Sequence, residues 1–181
     1  MTTVNIAIID YQAGNLRSVQ KALQKFGACA VITSSGDTIE EADGVVFPGQ
    51  GACDFAMRQL REKELDRPVK AFISGGKPFL GVCLGLQLLL EESEEGDELC
   101  LGIREGSVRR LPFGNKIPHM GWNEVDLCGY HPVLDGIPNR THFYFVHSYY
   151  ADPADKNITL GTTDYGIQFC SAVGWDNILA V

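Results

Sequence analysis

A cysteine stands between two glycines in the segment GVCLG (81–85), where an apolar run typical of a strand meets one typical of a helix. This is the spacing of a nucleophile elbow, a sharp turn that exposes its central side chain and tolerates only small residues on either side. Free N–H groups and the helix dipole at the start of a helix stabilise an anion. We therefore predict that Cys83 is a nucleophile with a lowered pKa, alkylated faster than the other cysteines.

Such a nucleophile needs donors for the oxyanion that forms when it attacks a carbonyl carbon. The N–H of Leu84 follows it directly, and the glycine-bearing loop PGQGA (48–52) is the candidate for a second donor. The alternative is that Cys83 only fills space and that the flanking glycines let a helix approach the sheet. The GxCxG spacing alone does not decide between the two, but the order of the surrounding elements favours a nucleophile.

The first half of the chain alternates apolar strands with helices. The predicted strands are VNIAIID (4–10), CAVIT (29–33), GVVFPG (44–49) and KPFLGVC (77–83). The predicted helices are GNLRSVQKALQKFG (14–27), which Asn15 caps and Gly27 stops, ACDFAMRQLREKEL (52–65) and LGLQLLLEE (84–92). This alternation predicts an α/β fold with a parallel, doubly wound sheet of the flavodoxin-like type. Because ligands bind at the carboxyl ends of such strands, the loops DYQAGN, PGQGA and GVCLG should converge on one edge.

After about residue 100 the chain becomes β-rich and aromatic, which predicts added, largely antiparallel strands. These segments are LGIREGSVRRL (101–111), HFYFVHSYYAD (142–152), ITLGTTDYG (158–166) and IQFCSAVGW (167–175), and NILAV (177–181) is one more apolar strand. Neither a repeat nor a low-complexity linker interrupts the sequence. We therefore predict one domain over residues 1–181.

Composition excludes several classes of function. The net charge of −8 argues against nucleic acid as a partner, and the acidic run EESEEGDE (91–98) is typical of a solvated loop or helix end. Neither a signal segment nor an apolar run of about 20 residues is present, so we expect a cytoplasmic protein that does not bind membranes. The six cysteines show no metal-binding spacing, so no metal or cofactor is implied, and most of them should be buried.

The segment FLGVCLGLQLLLEES (79–93) resembles the active-site segment of the class I (triad) glutamine amidotransferases. Four further segments are similar, in order and spacing, to one branch of that family, the glutaminase subunits of imidazole glycerol phosphate synthase. They are IDYQAGNLRSV (9–19), FPGQGA (47–52), KIPHMGWN (116–123) and FYFVHSYY (143–150). The match covers nearly the whole chain. KIPHMGWN discriminates most, because other class I glutaminases share the elbow without this octapeptide.

The resemblance implies that Cys83 attacks glutamine and that glutamate and ammonia are released. The residues that match the family's functional positions are Gln50, Gly51 and Leu84, whose backbone holds the oxyanion, and Gln87, Ser148 and Tyr149, which hold glutamine. One common family variant reads PGVGA where this chain has PGQGA. Because the oxyanion contact is made by the backbone, this difference should matter little.

The resemblance also implies a partner, a (β/α)₈-barrel synthase subunit that receives the ammonia. That subunit makes imidazole glycerol phosphate and aminoimidazole carboxamide ribotide in histidine biosynthesis. The matching interface positions are Asn15, Met120, Trp122 and Tyr144. Trp122 stands between Gly121 and Asn123 in an otherwise polar loop, which itself favours an interface anchor over a core residue.

The family's triad is completed by a histidine and a glutamate in a His-Pro-Glu segment that follows the strand matching NILAV. The sequence ends at Val181, before such a segment, so we expect a domain incomplete at its C-terminus that carries only the nucleophile. His119 and His147 belong to motifs matched as substrate-side or interface loops. His131 is expected in a surface turn and His142 at the start of an apolar strand, so none is assigned as the base.

Three alternative functions stay open. The absence of a triad histidine and glutamate would suit a non-catalytic binding subunit of the same complex. Another class I glutaminase would share the elbow, but KIPHMGWN argues against it. A cysteine hydrolase of the PfpI type would explain the elbow and leave KIPHMGWN unexplained.

Overall fold

The computed structural model describes residues 3–181, which form a twelve-stranded mixed sheet with five α-helices. The strands are β1 (Asn5–Ile9), β2 (Cys29–Thr33), β3 (Gly44–Gly49), β4 (Phe79–Cys83), β5 (Glu92–Ser93), β6 (Gly106–Arg110), β7 (His119–Leu127), β8 (Thr141–His147), β9 (Tyr149–Pro153), β10 (Thr159–Asp164), β11 (Gln168–Trp175) and β12 (Ile178–Ala180). The helices are α1 (Leu16–Lys25), α2 (Gly36–Glu41), α3 (Cys53–Glu62), α4 (Asp66–Ser74) and α5 (Leu84–Gln87). Short 3₁₀ helices cover Pro132–Leu134 and Lys156–Ile158.

The sheet has a parallel part and an antiparallel part. Strands β2, β1, β3, β4 and β12 lie side by side in that order and pair in parallel. From β12 the path continues antiparallel through β11, β10, β7 and β8, while β9 pairs with β11 and β6, and β6 pairs with β5. The predicted fold class, a parallel doubly wound sheet with added antiparallel strands, is confirmed.

The two faces of the parallel strands bury different side chains, as the period of two along a strand requires. Ile8 and Val46 pack on the face covered by α1. Ile9 and Phe47 face the other way, into the larger core that also contains residues of α2, α3 and α4. Covering both faces explains why these strands read as continuous apolar runs. Within residues 3–181 no helix has the length and apolar character needed to cross a membrane.

The helix after Cys83 is shorter than predicted. We expected it to span 84–92, but α5 ends at Gln87. The carbonyls of Leu88 and Leu89, which would continue the helix, instead accept hydrogen bonds from the N–H groups of Leu101 and Ile103, each at 2.9 Å. The segment 101–103 thus supplies the N–H donors that the next turn of the helix would otherwise have supplied. The helices α2 and α4 were not predicted at all.

Close packing explains both glycines around Cys83. A Cβ atom on Gly85 would lie 1.8 Å from the carbonyl oxygen of Phe47 in β3. A Cβ atom on Gly81 would lie 2.8 Å from the carbonyl oxygen of Gly85 and 2.9 Å from the Cβ of Ala180. A larger residue at position 85 would push α5 away from β3, and one at position 81 would push β4 away from β12. The turn can therefore form only with glycine at both positions.

We expect Gly85→Ala to lower the free energy of unfolding by about 3 kcal/mol, the upper end of the usual cost of overpacking a core. Gly44→Ala is the matched control, because a Cβ there would meet the carbonyl oxygen of Pro78 at an ordinary 3.5 Å. Urea unfolding of both variants measures the difference. Equal stability of the two would show that α5 can move away from β3 at little cost.

Candidate active site

Cys83 ends β4 in a strained backbone conformation, with φ 56° and ψ −108°. Few residues other than glycine have a positive φ, and the surrounding structure has to impose it. The N–H of Cys83 donates to the Val181 carbonyl at 2.6 Å, and the N–H of Val181 donates to the Gly81 carbonyl at 3.0 Å. With β3 on its other side, the residue is held between two strands.

The strand register brings the predicted oxyanion loop to the thiol. Gly49 of β3 pairs with Cys83, so the chain leaves the sheet beside the sulfur at Gln50 and Gly51. Gly51 has φ +96°, which favours glycine. The N–H of Leu84 hydrogen-bonds to the Cys83 sulfur. Backbone groups from both predicted donor segments therefore lie at this position.

The three glycine-bearing loops converge as predicted. The Tyr11 hydroxyl donates to the Pro48 carbonyl at 3.1 Å, which joins DYQAGN to PGQGA. Gly14 of the first loop lies against the side chain of Gln50, where a Cβ atom would be 2.2 Å from Nε2. The second loop packs on the third at Gly49, where a Cβ atom would be 2.9 Å from the Cβ of Leu84.

The pKa of Cys83 moves in the direction opposite to our prediction. Burial of the half-buried thiol raises its pKa, the Leu84 N–H lowers it, and the carboxylate of Glu95 raises it further, for a net increase. The predicted stabilisation by the start of a helix is present in the Leu84 contact. It is outweighed because desolvation penalises the thiolate and because α5 is only four residues long.

Glu95 belongs to the acidic run that we interpreted as a solvated loop. Its carboxylate accepts a hydrogen bond from the N–H of Cys53 at 2.9 Å, at the start of α3. Asp54 fixes the next part of the run by accepting from the N–H groups of Asp97 at 3.3 Å and Glu98 at 3.1 Å. The run is thus folded against α3 and brings a half-buried carboxylate to the thiol. Nothing in its sequence distinguishes Glu95 from its acidic neighbours.

The residues expected to hold glutamine lie on two neighbouring elements. Gln87 ends α5 and is buried, and its Nε2 donates to the Tyr149 carbonyl at 3.1 Å. Its Oε1 accepts from the Cys53 thiol at 3.8 Å. Ser148 and Tyr149 are half-buried where β8 turns into β9, and the Ser148 carbonyl accepts from the N–H of Leu111 at 2.9 Å.

The residues expected to contact a partner are exposed. Trp122 is not in a loop as predicted but in β7, where it pairs with Tyr144 of β8, and the two rings are 5.6 Å apart. Met120 pairs with Val146 two residues away, on the same face. The exposed fractions are 58% for Met120, 71% for Trp122, 57% for Tyr144 and 55% for Val146. We call these four residues the ribbon face. Asn15 is also exposed, but its side chain does not cap α1.

The histidines agree with the predictions only in part: His142 lies at the start of a strand as expected, whereas His119 and His147 lie in strands and not in loops. His131 begins a turn with a mostly exposed 3₁₀ helix, as expected, but its own side chain is buried and its Nδ1 accepts from the N–H of Val133. His142 is exposed, with Nε2 3.9 Å from the carboxylate of Glu124, on a strand that is more exposed than expected. His119 and His147 hydrogen-bond to each other in β7 and β8. Within residues 3–181 none of the four hydrogen-bonds to the Cys83 thiol.

The cysteines are less buried than expected. Only Cys53 and Cys100 are buried, Cys83 and Cys170 are half-buried, and Cys29 and Cys128 are exposed. All six are free. Across residues 3–181, no three side chains of the metal-ligating types come together as a metal site.

Comparison with known proteins places these observations in a family. The model of the family "Glutamine amidotransferase class-I" matches residues 7–181. The chain is 49% identical over 180 residues to "Imidazole glycerol phosphate synthase subunit HisH" of Microcystis aeruginosa, covering 97% of this chain and 85% of that protein. It is 48% identical over 169 residues to the protein of the same name from Dehalococcoides mccartyi, covering 93% of this chain and 82% of the relative.

Solved structures share the fold. A crystal structure of a glutamine amidotransferase superposes with a TM-score of 0.75 at 19% identity, over 97% of this chain and 87% of the other. The structure of PurLQS from Thermotoga maritima has a TM-score of 0.75 at 14% identity, over 98% of this chain and 85% of the other.

The raised pKa predicts slow alkylation of Cys83. At pH 7 iodoacetamide should modify Cys83 more slowly than the exposed Cys29 and Cys128. The rate at Cys83 should keep rising above the usual thiol pKa of about 8.5, because only the thiolate reacts. Glu95→Gln should speed the reaction of Cys83 several-fold, since it removes a negative charge and keeps an oxygen acceptor. Mass spectrometry of labelled peptides from pH 6 to 11 measures the rates. Labelling of Cys83 ahead of the exposed thiols would refute the raised pKa.

Proposed function

The chain belongs to the class I glutamine amidotransferase family, and on that premise we propose that it is the glutaminase subunit of an imidazole glycerol phosphate synthase. One observation carries the proposal. Cys83 is held at positive φ at the carboxyl end of a central strand, with the N–H of Leu84 on its sulfur and Gly49 beside it. A thiol in that setting suits attack on an amide carbonyl.

In the proposed reaction the Cys83 sulfur, as thiolate, attacks the side-chain amide carbon of glutamine. The carbonyl oxygen becomes an oxyanion that accepts hydrogen bonds from the N–H of Leu84 and from the backbone at Gln50 and Gly51. When the tetrahedral intermediate collapses, the C–N bond breaks, and the nitrogen takes up one proton, equivalent to the one that the Cys83 thiol gave up, and leaves as ammonia. Water then hydrolyses the glutamyl thioester, which releases glutamate and returns the Cys83 thiol.

We propose that Glu95 binds the α-ammonium group of glutamine, because its half-buried carboxylate lies close enough to the thiol to raise the pKa of Cys83. An ammonium group paired with Glu95 would neutralise that charge and favour the thiolate. Bound substrate would thus help to activate its own nucleophile. The rest of the glutamine site would be formed by Gln87, Ser148 and Tyr149.

We propose that the ribbon face binds a (β/α)₈-barrel synthase subunit, which receives the ammonia and makes imidazole glycerol phosphate. The four apolar side chains of that face are adjacent and more than half exposed, and contiguous exposed apolar residues mark interaction surfaces. Tryptophan and tyrosine are also the residue types that dominate interface energetics. Asn15, exposed at the start of α1, would contribute to the same contact.

A non-catalytic binding subunit of the same complex is the second candidate. It is favoured by one observation, that within residues 3–181 no histidine nitrogen hydrogen-bonds to the Cys83 thiol. Glutamate release by the full-length gene product together with its partner separates the two functions, since only a glutaminase releases glutamate.

Cys83→Ala in the full-length gene product should lower glutamine hydrolysis by about 10⁴-fold or more, the scale of losing a nucleophile that acts as part of a unit. Synthesis by the complex from added ammonium salts should persist, because that chemistry belongs to the partner. Cys29→Ala, an exposed cysteine in β2, is the control and should leave both rates unchanged. Substantial glutamate release by Cys83→Ala would remove Cys83 from the nucleophile's role.

Trp122→Ala should weaken binding to the synthase subunit about 30-fold, or about 2 kcal/mol, the threshold of an interface hot spot. The melting temperature of the isolated chain should hardly change, because the side chain is mostly exposed. Phe26→Ala is the control, since Phe26 is 88% exposed at the opposite end of α1 from Asn15. Calorimetric titration and thermal unfolding test both variants. A large loss of stability with unchanged binding would assign Trp122 to folding instead.

A further inference from the structure

A chain of hydrogen bonds runs behind the ribbon face. Asn123 Nδ2 lies 2.9 Å from the Asp164 carbonyl and 3.3 Å from His119 Nε2. His119 Nδ1 lies 2.9 Å from His147 Nε2, and His147 Nδ1 lies 2.9 Å from the Tyr149 carbonyl. Five side-chain or backbone groups from β7, β8, β9 and β10 are thereby linked in series.

The two ends of this chain decide the position of every proton in it. The Tyr149 carbonyl can only accept, so His147 must carry a proton on Nδ1. At the other end, His119 Nε2 faces the Asn123 Nδ2 amide group, which can only donate, so His119 carries its proton on Nδ1 and donates it to His147 Nε2. His119 Nε2 is left to accept from Asn123, whose amide orientation is fixed because Nδ2 donates to the Asp164 carbonyl and Oδ1 accepts from the N–H of Glu124 at 2.9 Å. Both histidines are therefore neutral, with the proton on Nδ1.

The surroundings of the rings favour the neutral form. His119 is 3% exposed and stacks on Tyr165 with ring centres 3.9 Å apart, while Phe145 stacks on it at 4.8 Å. Phe169 lies against both histidine rings. Burial lowers the pKa of His119 and of His147, and the proximity of His147 lowers the pKa of His119 further. Tyr165 and the other histidine are the titratable groups against the His119 ring, and none of residues 3–181 forms an ion pair with either histidine.

The series of hydrogen bonds ends at the Tyr149 carbonyl, which also accepts a hydrogen bond from a residue of the proposed glutamine site. Gln87 Nε2 donates to the same Tyr149 carbonyl, at 3.1 Å. Gln87 is the last residue of α5, the short helix that begins directly after Cys83. The position of the Gln87 amide relative to the nucleophile thus depends on where the Tyr149 carbonyl points, and His147 fixes that carbonyl from the other side.

We infer that His147 and His119 are positioning residues of the glutamine site, which hold the Tyr149 carbonyl and through it the side chain of Gln87. This inference rests on the proposed function, since it assumes that Gln87 contacts glutamine. Neither histidine touches the reacting atoms. Loss of these hydrogen bonds should therefore weaken glutamine binding more than it slows the chemical steps.

The matched variants His147→Leu and His147→Asn separate a positioning role from simple packing. Leucine and asparagine have nearly the same shape, but only the asparagine amide can replace Nδ1 as a donor to the Tyr149 carbonyl. We expect His147→Leu to raise the KM for glutamine about tenfold, the cost of about one net hydrogen bond, with kcat changed less than about threefold. His147→Asn should bring KM back to within about threefold of the unmodified protein. His119→Leu should raise KM in the same direction.

The controls are His142→Leu and His142→Asn. His142 lies in the same strand, β8, but takes no part in the series of hydrogen bonds, so both variants should leave the KM for glutamine unchanged. All variants are assayed as full-length gene products with saturating partner, well below their melting temperatures. A second readout needs no activity: ¹⁵N NMR of the imidazole rings should show both His119 and His147 neutral near pH 7 and protonated on Nδ1.

Each outcome bears on the inference. Equal KM values for His147→Leu and His147→Asn, or an Nε2-protonated ring in either position, would overturn it while leaving the glutaminase intact. An unmodified protein that releases no glutamate with its partner would instead refute the proposed function, and the positioning role would fall with it. A tenfold higher KM for glutamine in His147→Leu that is reversed in His147→Asn, together with both rings protonated on Nδ1, would support the inference.

Discussion

The contact between Gly85 and the Phe47 carbonyl constrains everything around the candidate nucleophile. A single added carbon would lie 1.8 Å from that oxygen, so α5 can lie this close to β3 only without a side chain at this position. The approach forces the chain to turn at Cys83 with a positive φ, which no preference of cysteine itself would produce. Strand β4 pairs with β3 on one side and with β12 on the other, and the Cys83 N–H donates to the Val181 carbonyl. These contacts stabilise the strained backbone of Cys83.

The same close packing sets the electrostatics of the thiol. A turn pressed against the sheet leaves Cys83 partly desolvated, and desolvation disfavours the thiolate more than one backbone N–H can favour it. The carboxylate of Glu95 adds to that effect, because the acidic run is folded back onto the start of α3. The surroundings of Cys83 thus disfavour its thiolate. In the proposed reaction, a cationic group bound at Glu95 would shift this balance toward the thiolate.

The β7–β8 ribbon has two different faces because its side chains alternate. One face carries Met120, Trp122, Tyr144 and Val146, which are exposed and apolar. On the other face, the buried His119 and the half-buried His147 pack against aromatic rings. Buried polar groups persist only when their hydrogen bonds are satisfied, and here every ring nitrogen has a partner. The contrast is His131, whose buried Nε2 has none among residues 3–181.

Local patterns in the sequence determined the framework of strands and the position of the candidate nucleophile. The apolar runs were enough to predict the central strands, because a strand buried on both faces must be apolar throughout, and the glycines of GVCLG marked the turn. Partners distant in sequence decided the rest. The segment around Leu101 ended α5 early, and burial together with Glu95 reversed the predicted pKa of Cys83. The hydrogen-bond chain through His119 and His147 spans strands 28 residues apart, and no spacing along the chain encodes it. Periodicity and turn chemistry are local properties that a sequence displays, whereas desolvation and hydrogen-bond pairing depend on which distant groups the fold brings together.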